Sequence, residues 1–268
     1  MALEVDILGM NFGIIGTGFI FRKHVQAIYK IGGKIVDVVD RTYGPEAWKE
    51  IPENSEVDCV VILTPNNLHF EMAMFSAEQG KIVLCEKPLS LKSEEIEVLK
   101  NYPEIFTIYQ LRYHPVTKRL KSEIKDSENY QIEIDISVHR SEDYWKTWKG
   151  NFEKSGGILF NLGIHYFDLL LYLFGEPEGT LTEFLTDKTG WGTIKGKNYL
   201  CRWKISTEAS AGEQRRLFKI NGVNYDFSTK ENLHFYVYQD LLKGKGITPK
   251  ESLNSIKLIE KIYASHKK

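Results

Sequence analysis

The feature that most constrains the fold of this chain is an alternation of short apolar runs with amphipathic stretches over roughly its first 110 residues. The apolar runs are residues 12–15, 35–39, 59–63, 82–85 and 106–109, and helical spacing occurs in 20–29, 69–78 and 93–100. Strands that alternate with helices form parallel sheets, because the helix supplies the crossover that two parallel strands need. The pattern therefore predicts a parallel sheet covered by helices.

The pattern changes after about residue 128, where apolar and polar residues alternate with a period of two. Runs of this kind are residues 131–138, 179–186, 199–206, 216–220 and 224–227, with Asn221-Gly222 as a hairpin turn between the last two. Helical spacing returns in residues 159–174, 233–242 and 252–265. We expect an α/β chain of two domains, 1–113 and 114–268, the second built on an open, mostly antiparallel sheet. Whether the last helix packs back on the first domain is left open.

Length, charge and cysteine usage narrow the class of protein. The 268 residues exceed the usual single domain, and the net charge of −1 favours neither nucleic acid nor an anionic membrane as partner. The three cysteines form no Cys-x-x-Cys pair and the histidines lack metal-site spacing, so we expect neither a disulfide framework nor a bound metal. The first ten residues carry no basic export region, which predicts a cytoplasmic protein. Because Met10 directly precedes the first strand-like run, we expect residues 1–9 to form a short extension outside the fold.

A glycine loop, Gly16-Thr17-Gly18, follows the first strand and opens the first helix. In that context backbone N–H groups and the helix N-terminus attract a pyrophosphate. Asp40 ends the second strand, where a carboxylate meets the ribose hydroxyls of a dinucleotide. Phe21 occupies the third glycine position, which indicates a looser variant of the motif. Arg41 leaves NADP open, but the Asp40 carboxylate would repel its 2′-phosphate, so we expect NAD.

Two further segments end predicted strands. Thr64-Pro65-Asn66 leads to His69, and Glu86-Lys87-Pro88 ends the next strand, where a cis bond before Pro88 would fix the direction of Lys87. The carboxyl edge of an open parallel sheet is where ligands bind. A lysine here and a histidine in Asn161-Leu162-Gly163-Ile164-His165 are able to manage a proton while hydride leaves a hydroxylated carbon.

These segments resemble the glucose-fructose oxidoreductase, inositol dehydrogenase and rhizopine catabolism (Gfo/Idh/MocA) family. The resemblance runs from about residue 11 to 264 and includes His24, His69, Glu86-Lys87-Pro88 and Gly163-x-His165 followed by Asp168. It implies a Rossmann domain joined to an α/β domain, a nicotinamide cofactor and a homo-oligomer, dimer or tetramer. The cofactor-binding residues that follow are Gly16, Gly18, Phe19, Ile20, Asp40, Arg41, Thr64, Pro65, Asn66, His69, Glu86 and Lys87.

A narrower likeness lies in residues 110–114, 140–150, 161–168 and 233–238, which are similar to the UDP-N-acetylglucosaminuronate 3-dehydrogenase group of this family. It implies NAD-dependent oxidation of the 3-hydroxyl of UDP-2-acetamido-2-deoxyglucuronate in surface polysaccharide synthesis. That substrate carries two phosphates and a carboxylate, which require local cations. The substrate-binding residues expected are Arg112, Arg140, Tyr144, Lys146, Trp148, Asn161 and His165, with Lys149 as a further cation.

The catalytic residues expected are Lys87, His165 and Asn161. In our hypothesis His165 takes the hydroxyl proton, Lys87 donates a hydrogen bond to the developing alkoxide and Asn161 orients the sugar or ring. The roles of Lys87 and His165 are interchangeable, because a desolvated lysine can act as a base. Two alternatives are a dehydrogenase of another sugar nucleotide, aldose or cyclitol, and a non-catalytic dinucleotide-binding sensor.

Overall fold

The computed structural model describes residues 9–266, so the predicted extension over residues 1–9 lies almost wholly outside the described part of the chain. The chain divides into two compact units. Met1–Tyr113 and Thr229–Leu253 form the first, and His114–Ser228 and Asn254–Lys268 form the second. The sequence-based division differs in one respect, because residues 229–253 return to the first unit and the dividing point falls inside the last helix. Local periodicity carries no information about such a return.

The first unit contains a five-stranded parallel sheet with the order β2-β1-β3-β4-β5. Its strands are β1 (Asn11–Ile15), β2 (Lys34–Val39), β3 (Cys59–Ile62), β4 (Ile82–Glu86) and β5 (Ile105–Ile108). Its helices are α1 (Phe21–Lys30), α2 (Glu50–Glu53), α3 (His69–Glu78) and α4 (Ser93–Leu99), with α9 (His234–Leu241) from the returning segment. The central strand β3 is buried at all four positions, as a strand covered on both faces should be. The predicted parallel sheet is therefore confirmed.

The strand order reverses between β1 and β3, which lie side by side. In open α/β sheets such a reversal creates a crevice outside the carboxyl ends of the strands, where ligands bind. The glycine loop follows β1 and Thr64 follows β3, so both predicted cofactor segments flank this point. The connection between β2 and β3 contains only two short 3₁₀ turns, Arg41–Tyr43 and Ala47–Lys49, and the four-residue α2. This side of the sheet has a thin helical layer.

The second unit contains a six-stranded sheet with the order β11-β10-β6-β9-β8-β7, in which only the β6–β9 pair is parallel among the strands described between residues 9 and 266. Its strands are β6 (Tyr130–Ser137), β7 (Pro177–Leu185), β8 (Thr189–Gly196), β9 (Tyr199–Ser206), β10 (Arg215–Ile220) and β11 (Val223–Asn224). Its helices are α5 (Pro115–Glu123), α6 (Glu142–Lys146), α7 (Phe152–Ser155) and α8 (Ile164–Phe174), followed by α10 (Pro249–His266). The predicted α/β fold with a mostly antiparallel second sheet is confirmed.

The sequence patterns did not predict β8. Three glycines interrupt its apolar alternation, and they are required by the packing: a Cβ on Gly192 would lie 2.2 Å from the Leu181 carbonyl oxygen, and one on Gly196 would lie 2.1 Å from the Tyr199 ring. Glycine therefore hides the period of two at the places where neighbouring groups come closest. The strand predicted over residues 224–227 is shorter than expected and consists of Val223–Asn224 alone.

The helical stretch Phe152–Phe174 is the one segment, within the described residues, that is long and apolar enough to cross a membrane. Of its apolar window, 61% is buried inside the protein. Burial of that extent is typical of a core helix in a folded domain. Phe167 and Leu170, for example, are fully inaccessible to solvent.

Candidate functional site

The glycine loop contains two glycines with different physical reasons for being glycine. Gly16 has φ +103°, and its N–H donates to the Val39 carbonyl oxygen at 2.8 Å. A Cβ on Gly16 would lie 2.9 Å from the Leu63 carbonyl oxygen. A Cβ on Gly18 would meet no protein atom within 4 Å. The fold itself thus requires glycine at 16, whereas at 18 the open side of the backbone suits the close approach of a pyrophosphate.

The residues after the loop begin helix α1. Phe19 is 90% exposed, and Phe21, at the third glycine position, packs partly against the core. Ile20 is the N-cap residue of α1, without a side-chain capping bond, and the first turn of the ten-residue helix contains no acidic residue. The first turn of α1 therefore carries no negative charge that would offset the positive end of the helix dipole, which suits an anion site.

Asp40 is held at the end of β2 by three hydrogen bonds. Its Oδ2 accepts from Thr17 Oγ1 at 2.5 Å, and its Oδ1 accepts from Thr42 N at 2.9 Å and Thr42 Oγ1 at 2.6 Å. These donors, led by Thr17, lower the pKa of Asp40 to about 2. The carboxylate is ionised at neutral pH, which suits a ribose diol and disfavours a 2′-phosphate. Arg41 follows in an exposed 3₁₀ turn.

His69 connects the two strand-end segments. It is buried, its Nδ1 lies 2.6 Å from the Pro88 carbonyl oxygen and its Nε2 lies 2.9 Å from the Thr64 carbonyl oxygen. Burial lowers the pKa of His69 despite these two acceptors. Asn66 is buried in the 3₁₀ turn that follows Pro65. The contacts made by His69 position the loops, and its direct contact with a cofactor stays a prediction.

Glu86 and Lys87 close β4, and the Lys87–Pro88 peptide is cis, as expected. Glu86 Oε2 accepts from the Lys87 backbone N–H at 3.2 Å. Its Oε1 lies 3.0 Å from His24 Nε2 and 3.3 Å from His234 Nε2. Burial would raise the pKa of Glu86, but the hydrogen bonds from the two histidines outweigh it and hold the pKa well below its usual range. Glu86 is thus a carboxylate that is 13% exposed at its side chain and has protein partners on both oxygens.

The second unit contains a pair of cations around one tyrosine. The Arg140 guanidinium carbon lies 5.2 Å from the centre of the Tyr144 ring, and Lys149 Nζ lies 5.3 Å from it. Burial and the neighbouring Arg140 charge lower the pKa of Lys149. Two like charges near one ring repel each other, and an anion placed between them would relieve that repulsion. The arrangement is suited to binding a carboxylate or phosphate.

Asn161 and His165 are both half-buried and lie in one continuous helical segment of the second unit. Asn161 belongs to a π-helical turn, Leu159–Gly163, and His165 to the first turn of α8. Such wide turns occur often at functional sites because they re-aim side chains. The Asn161 amide donates to the Lys149 carbonyl oxygen at 3.5 Å. This contact brings the helical segment next to the cation pair within the second unit.

Of the other predicted substrate residues, Arg112 and Lys146 pair with carboxylates and Trp148 lies next to the cation pair. Arg112, in the first unit, is only 10% exposed at its side chain, and its guanidinium faces the Glu251 carboxylate at 3.6 Å. Lys146 is 70% exposed and pairs with Asp143 at 2.9 Å. Trp148 lies beside Lys149, whose Nζ is 5.8 Å from its ring. Substrate contact by these three residues stays a prediction.

Asp168, in the family-like segment, is buried and accepts from Ser255 Oγ at 2.9 Å. This contact joins α8 to α10 and is structural. His114 caps α5 by accepting from the Val116 N–H at 3.2 Å. Neither residue adds a group to the site.

The cluster of His24, Glu86 and His234 was not predicted from the sequence. The two histidines stand 62 and 148 residues from Glu86, so no local motif joins them. The available signal was that each lies in a segment resembling the family. Their ligand-type atoms lie within 4.8 Å of one another, and this is the single histidine, cysteine or carboxylate group so compact among residues 9–266. The expectation of no bound metal stays a prediction.

Family models match both units of the chain. An oxidoreductase family model with an NAD-binding Rossmann fold matches residues 10–104, and the model of the same family's C-terminal alpha/beta domain matches residues 127–189. Together the matches span more than half of the chain.

Solved structures and curated proteins agree with these matches. The chain is 28% identical to the WlbA (WbpB) dehydrogenase from Thermus thermophilus in complex with NAD and alpha-ketoglutarate, over 93% of each chain, with a TM-score of 0.85. For the complex of that protein with NAD and UDP-GlcNAcA the identity is 26%, again over 93% of each chain, and the TM-score is 0.83.

Among curated proteins, glucose-6-phosphate 3-dehydrogenase of Bacillus subtilis (strain 168) is 31% identical over 61% of this chain and 53% of its own length. Inositol 2-dehydrogenase of Rhizobium meliloti (strain 1021) is 26% identical over 65% of this chain and 57% of its own length. The chain spans about half the length of the curated relatives it matches. On the two family-model matches and the architecture of both sheets, the chain belongs to the Gfo/Idh/MocA oxidoreductase family.

Proposed function

We propose that the protein is an NAD-dependent dehydrogenase that oxidises the 3-hydroxyl of UDP-2-acetamido-2-deoxyglucuronate to the 3-keto sugar. The observation that carries the proposal is the similarity, over 93% of both chains, to a dehydrogenase whose structures contain NAD and UDP-GlcNAcA. The proposed product, a 3-keto sugar nucleotide, agrees with a role in making surface polysaccharide sugars. Cytoplasmic location and assembly into a dimer or tetramer are part of the proposal.

The first unit supports the cofactor part of the proposal. Gly18 leaves the backbone open to a pyrophosphate, and the Asp40 carboxylate, already ionised, accepts from ribose hydroxyls. When bound, NAD accepts hydride from the oxidised carbon. Thr64, Pro65, Asn66 and Lys87 follow the neighbouring strands β3 and β4, whose carboxyl ends share one edge of the sheet.

The second unit supports an anionic substrate. Arg140 and Lys149 flank Tyr144, and the half-buried aromatic ring adds a stacking surface for a base or sugar. A free cyclitol such as inositol carries no charge to place between these cations. The pair therefore favours a phosphorylated or carboxylated sugar. A second candidate consistent with this observation is a sugar phosphate oxidised at the same carbon, as the name of the Bacillus subtilis relative suggests.

The chemistry requires one base and one hydrogen-bond donor at the reacting carbinol. In the proposal His165 takes the hydroxyl proton and the Lys87 ammonium donates a hydrogen bond to the oxygen that gains negative charge. The exchanged assignment, with Lys87 as base, predicts the same products. Asn161 holds the orientation of the sugar through its amide. The C–H electron pair leaves as hydride, so the proton and the hydride together account for the two hydrogens lost.

Turnover with defined substrates tests the proposal. NADH absorbance is measured with UDP-2-acetamido-2-deoxyglucuronate, UDP-N-acetylglucosamine, glucose 6-phosphate and myo-inositol, each with NAD and with NADP. The highest kcat/KM is expected for the first substrate with NAD. Lys87→Met and His165→Asn should each lower kcat by roughly 10²- to 10⁴-fold. Unchanged kcat in both variants, or a preference for myo-inositol, would reject the proposal.

The anion site is tested separately by Arg140→Leu. Loss of a charge-assisted contact should raise KM for the anionic substrate by about one to two orders of magnitude, with a smaller change in kcat. The matched control is Arg119→Leu on α5, where the guanidinium makes a surface pair with Glu123 at 3.7 Å. Equal KM values in the two variants would remove Arg140 from the substrate site.

A further inference from the structure

The orientation of one amide fixes the protonation pattern of the buried cluster in the first unit. Asn232 Nδ2 donates to the Lys23 carbonyl oxygen at 2.8 Å, so the Asn232 side chain cannot be turned without losing this bond. Its Oδ1 is consequently directed to His234, where it accepts from the backbone N–H at 3.2 Å and lies 3.0 Å from Nδ1. An amide oxygen is only an acceptor, so His234 Nδ1 must carry a hydrogen.

The second ring nitrogen of His234 faces an acceptor too. His234 Nε2 lies 3.3 Å from Glu86 Oε1, and the histidine side chain is 4% exposed. A neutral imidazole has one N–H, and in His234 that N–H is at Nδ1 and donates to Asn232. The lone pair on Nε2 would then face a carboxylate, which is repulsive in a buried site. A second proton on the ring removes that conflict and pairs two buried opposite charges.

His24 completes the cluster as a neutral group. Burial lowers its pKa, and its Nε2 lies 3.0 Å from Glu86 Oε1. Its Nδ1 lies 2.8 Å from the Tyr238 hydroxyl, whose pKa burial raises well above the usual value. The Tyr238 hydroxyl therefore stays protonated and donates a hydrogen bond to His24 Nδ1. The hydrogen of neutral His24 is then on Nε2, which donates to Glu86. One imidazolium and one neutral histidine satisfy all the hydrogen bonds of the cluster.

We propose that His234 is an imidazolium paired with the Glu86 carboxylate, and that this pair makes His234 a positioning residue for Lys87. The link is short, because Glu86 Oε2 accepts from the Lys87 backbone N–H at 3.2 Å. The imidazolium also neutralises the carboxylate next to Lys87 in the chain. Without it, the uncompensated negative charge would hold a proton on the Lys87 amine more tightly. The part that concerns Lys87 rests on the proposed function.

Two other titratable groups face the cluster. His69 interacts with both Glu86 and Lys87 and also has an acceptor at each ring nitrogen, but both are neutral carbonyl oxygens and burial lowers its pKa, whereas His234 faces the Glu86 carboxylate. Burial also raises the pKa of Cys59, which faces Tyr238, so the thiol stays neutral. Lys87 interacts electrostatically with His69, and it is the group whose charge the cluster would influence.

Nuclear magnetic resonance of histidine side chains tests the charge state without any turnover. The seven histidines are labelled with ¹⁵N, and the His234 signals are assigned by their loss in His234→Gln. At pH 7 both ring nitrogens of His234 should show imidazolium shifts. A neutral Nδ1–H ring at His234 would overturn the proposal. About one equivalent of Zn²⁺ in the purified wild type, absent from His234→Gln, would also overturn the proposal, because a metal cation would then be bound by the cluster.

The pH dependence of kcat/KM tests the positioning role. His234→Gln keeps a neutral donor toward Glu86 and removes the charge. The limb of the profile that reports Lys87 should move upward by on the order of one pH unit. The double variant Glu86→Gln/His234→Gln, which has no charge left to compensate, should bring that limb back. His266→Gln is the control and should leave the profile unchanged. Superimposable profiles for His234→Gln and the wild type would overturn the role.

The two experiments separate failure of this inference from failure of the proposed function. If none of the sugar substrates is oxidised but His234 carries both protons, the proposed function fails and the charge assignment stands. If turnover occurs and depends on Lys87 while His234 is neutral, the proposed function stands and this inference fails.

Discussion

Gly16 and Gly18 should respond to the same substitution in opposite ways. In Gly16→Ala the new methyl group would lie 2.9 Å from the Leu63 carbonyl oxygen and 3.0 Å from its carbonyl carbon, at φ +103°. The backbone conformation costs about 1–2 kcal/mol and the backbone clash a further ~1–3 kcal/mol. In Gly18→Ala the methyl group meets no protein atom, so the free energy of unfolding should stay within about 0.5 kcal/mol of the wild type.

The substitution at Gly18, which should leave stability unchanged, should weaken NAD binding. Gly18→Ala should weaken NAD by at least about tenfold, or ~1.4 kcal/mol, because its methyl group occupies the space that a pyrophosphate needs. The control is Gly32→Ala, a turn glycine with φ +80° and no neighbour within 4 Å, which isolates the cost of the backbone conformation. Denaturant unfolding of the NAD-free protein and calorimetric titration with NAD measure the two effects.

Two results would refute this reasoning. If Gly16→Ala is no less stable than Gly32→Ala, the close approach of the Leu63 backbone does not constrain the loop. If Gly18→Ala binds NAD as tightly as the wild type, the pyrophosphate does not approach the backbone at Gly18. The second result would also weaken the proposed cofactor geometry.

Three further predictions concern charged and buried groups. Asp40→Ser should raise the NADP to NAD ratio of kcat/KM at least about tenfold, since Arg41 then faces no competing carboxylate. Thr17→Val removes the largest cause of the depressed pKa of Asp40, so an NMR titration of this variant should find the Asp40 pKa above 2. Because the folded-state pKa is depressed in the wild type, the stabilising effect of Asp40 is present above about pH 4 and is lost as the pH falls toward 2. Ser255→Ala should cost roughly 1–3 kcal/mol in denaturant unfolding, because it removes a donor from the buried Asp168 carboxylate. A titration of Asp40 unchanged in Thr17→Val, a cofactor ratio unchanged in Asp40→Ser, or a Ser255→Ala protein as stable as wild type would each contradict the corresponding contact.

The parts of the site that could be predicted are those encoded in short segments. The glycine loop, Asp40 and the Lys87–Pro88 bond each follow one strand, and strand periodicity places each segment at the carboxyl edge of the sheet. These segments lie near one another because the carboxyl ends of neighbouring parallel strands are at the same edge of the sheet. The apolar spacing of residues 159–174 likewise predicts a helix. The same spacing gives no sign of the π-helical turn that contains Asn161.

The sequence by itself determined the two sheets, the family and the types of chemical group at the strand ends, because these depend on periodicity and on residues adjacent in the chain. Only the tertiary structure decided which distant groups meet. The return of residues 229–253 to the first unit brings His234 to Glu86, and Glu251 to Arg112, which the sequence had suggested as a substrate contact. Charge and burial depend on neighbours in space, so the protonation of His234 and the pairing of Arg112 follow from packing rather than from any local pattern.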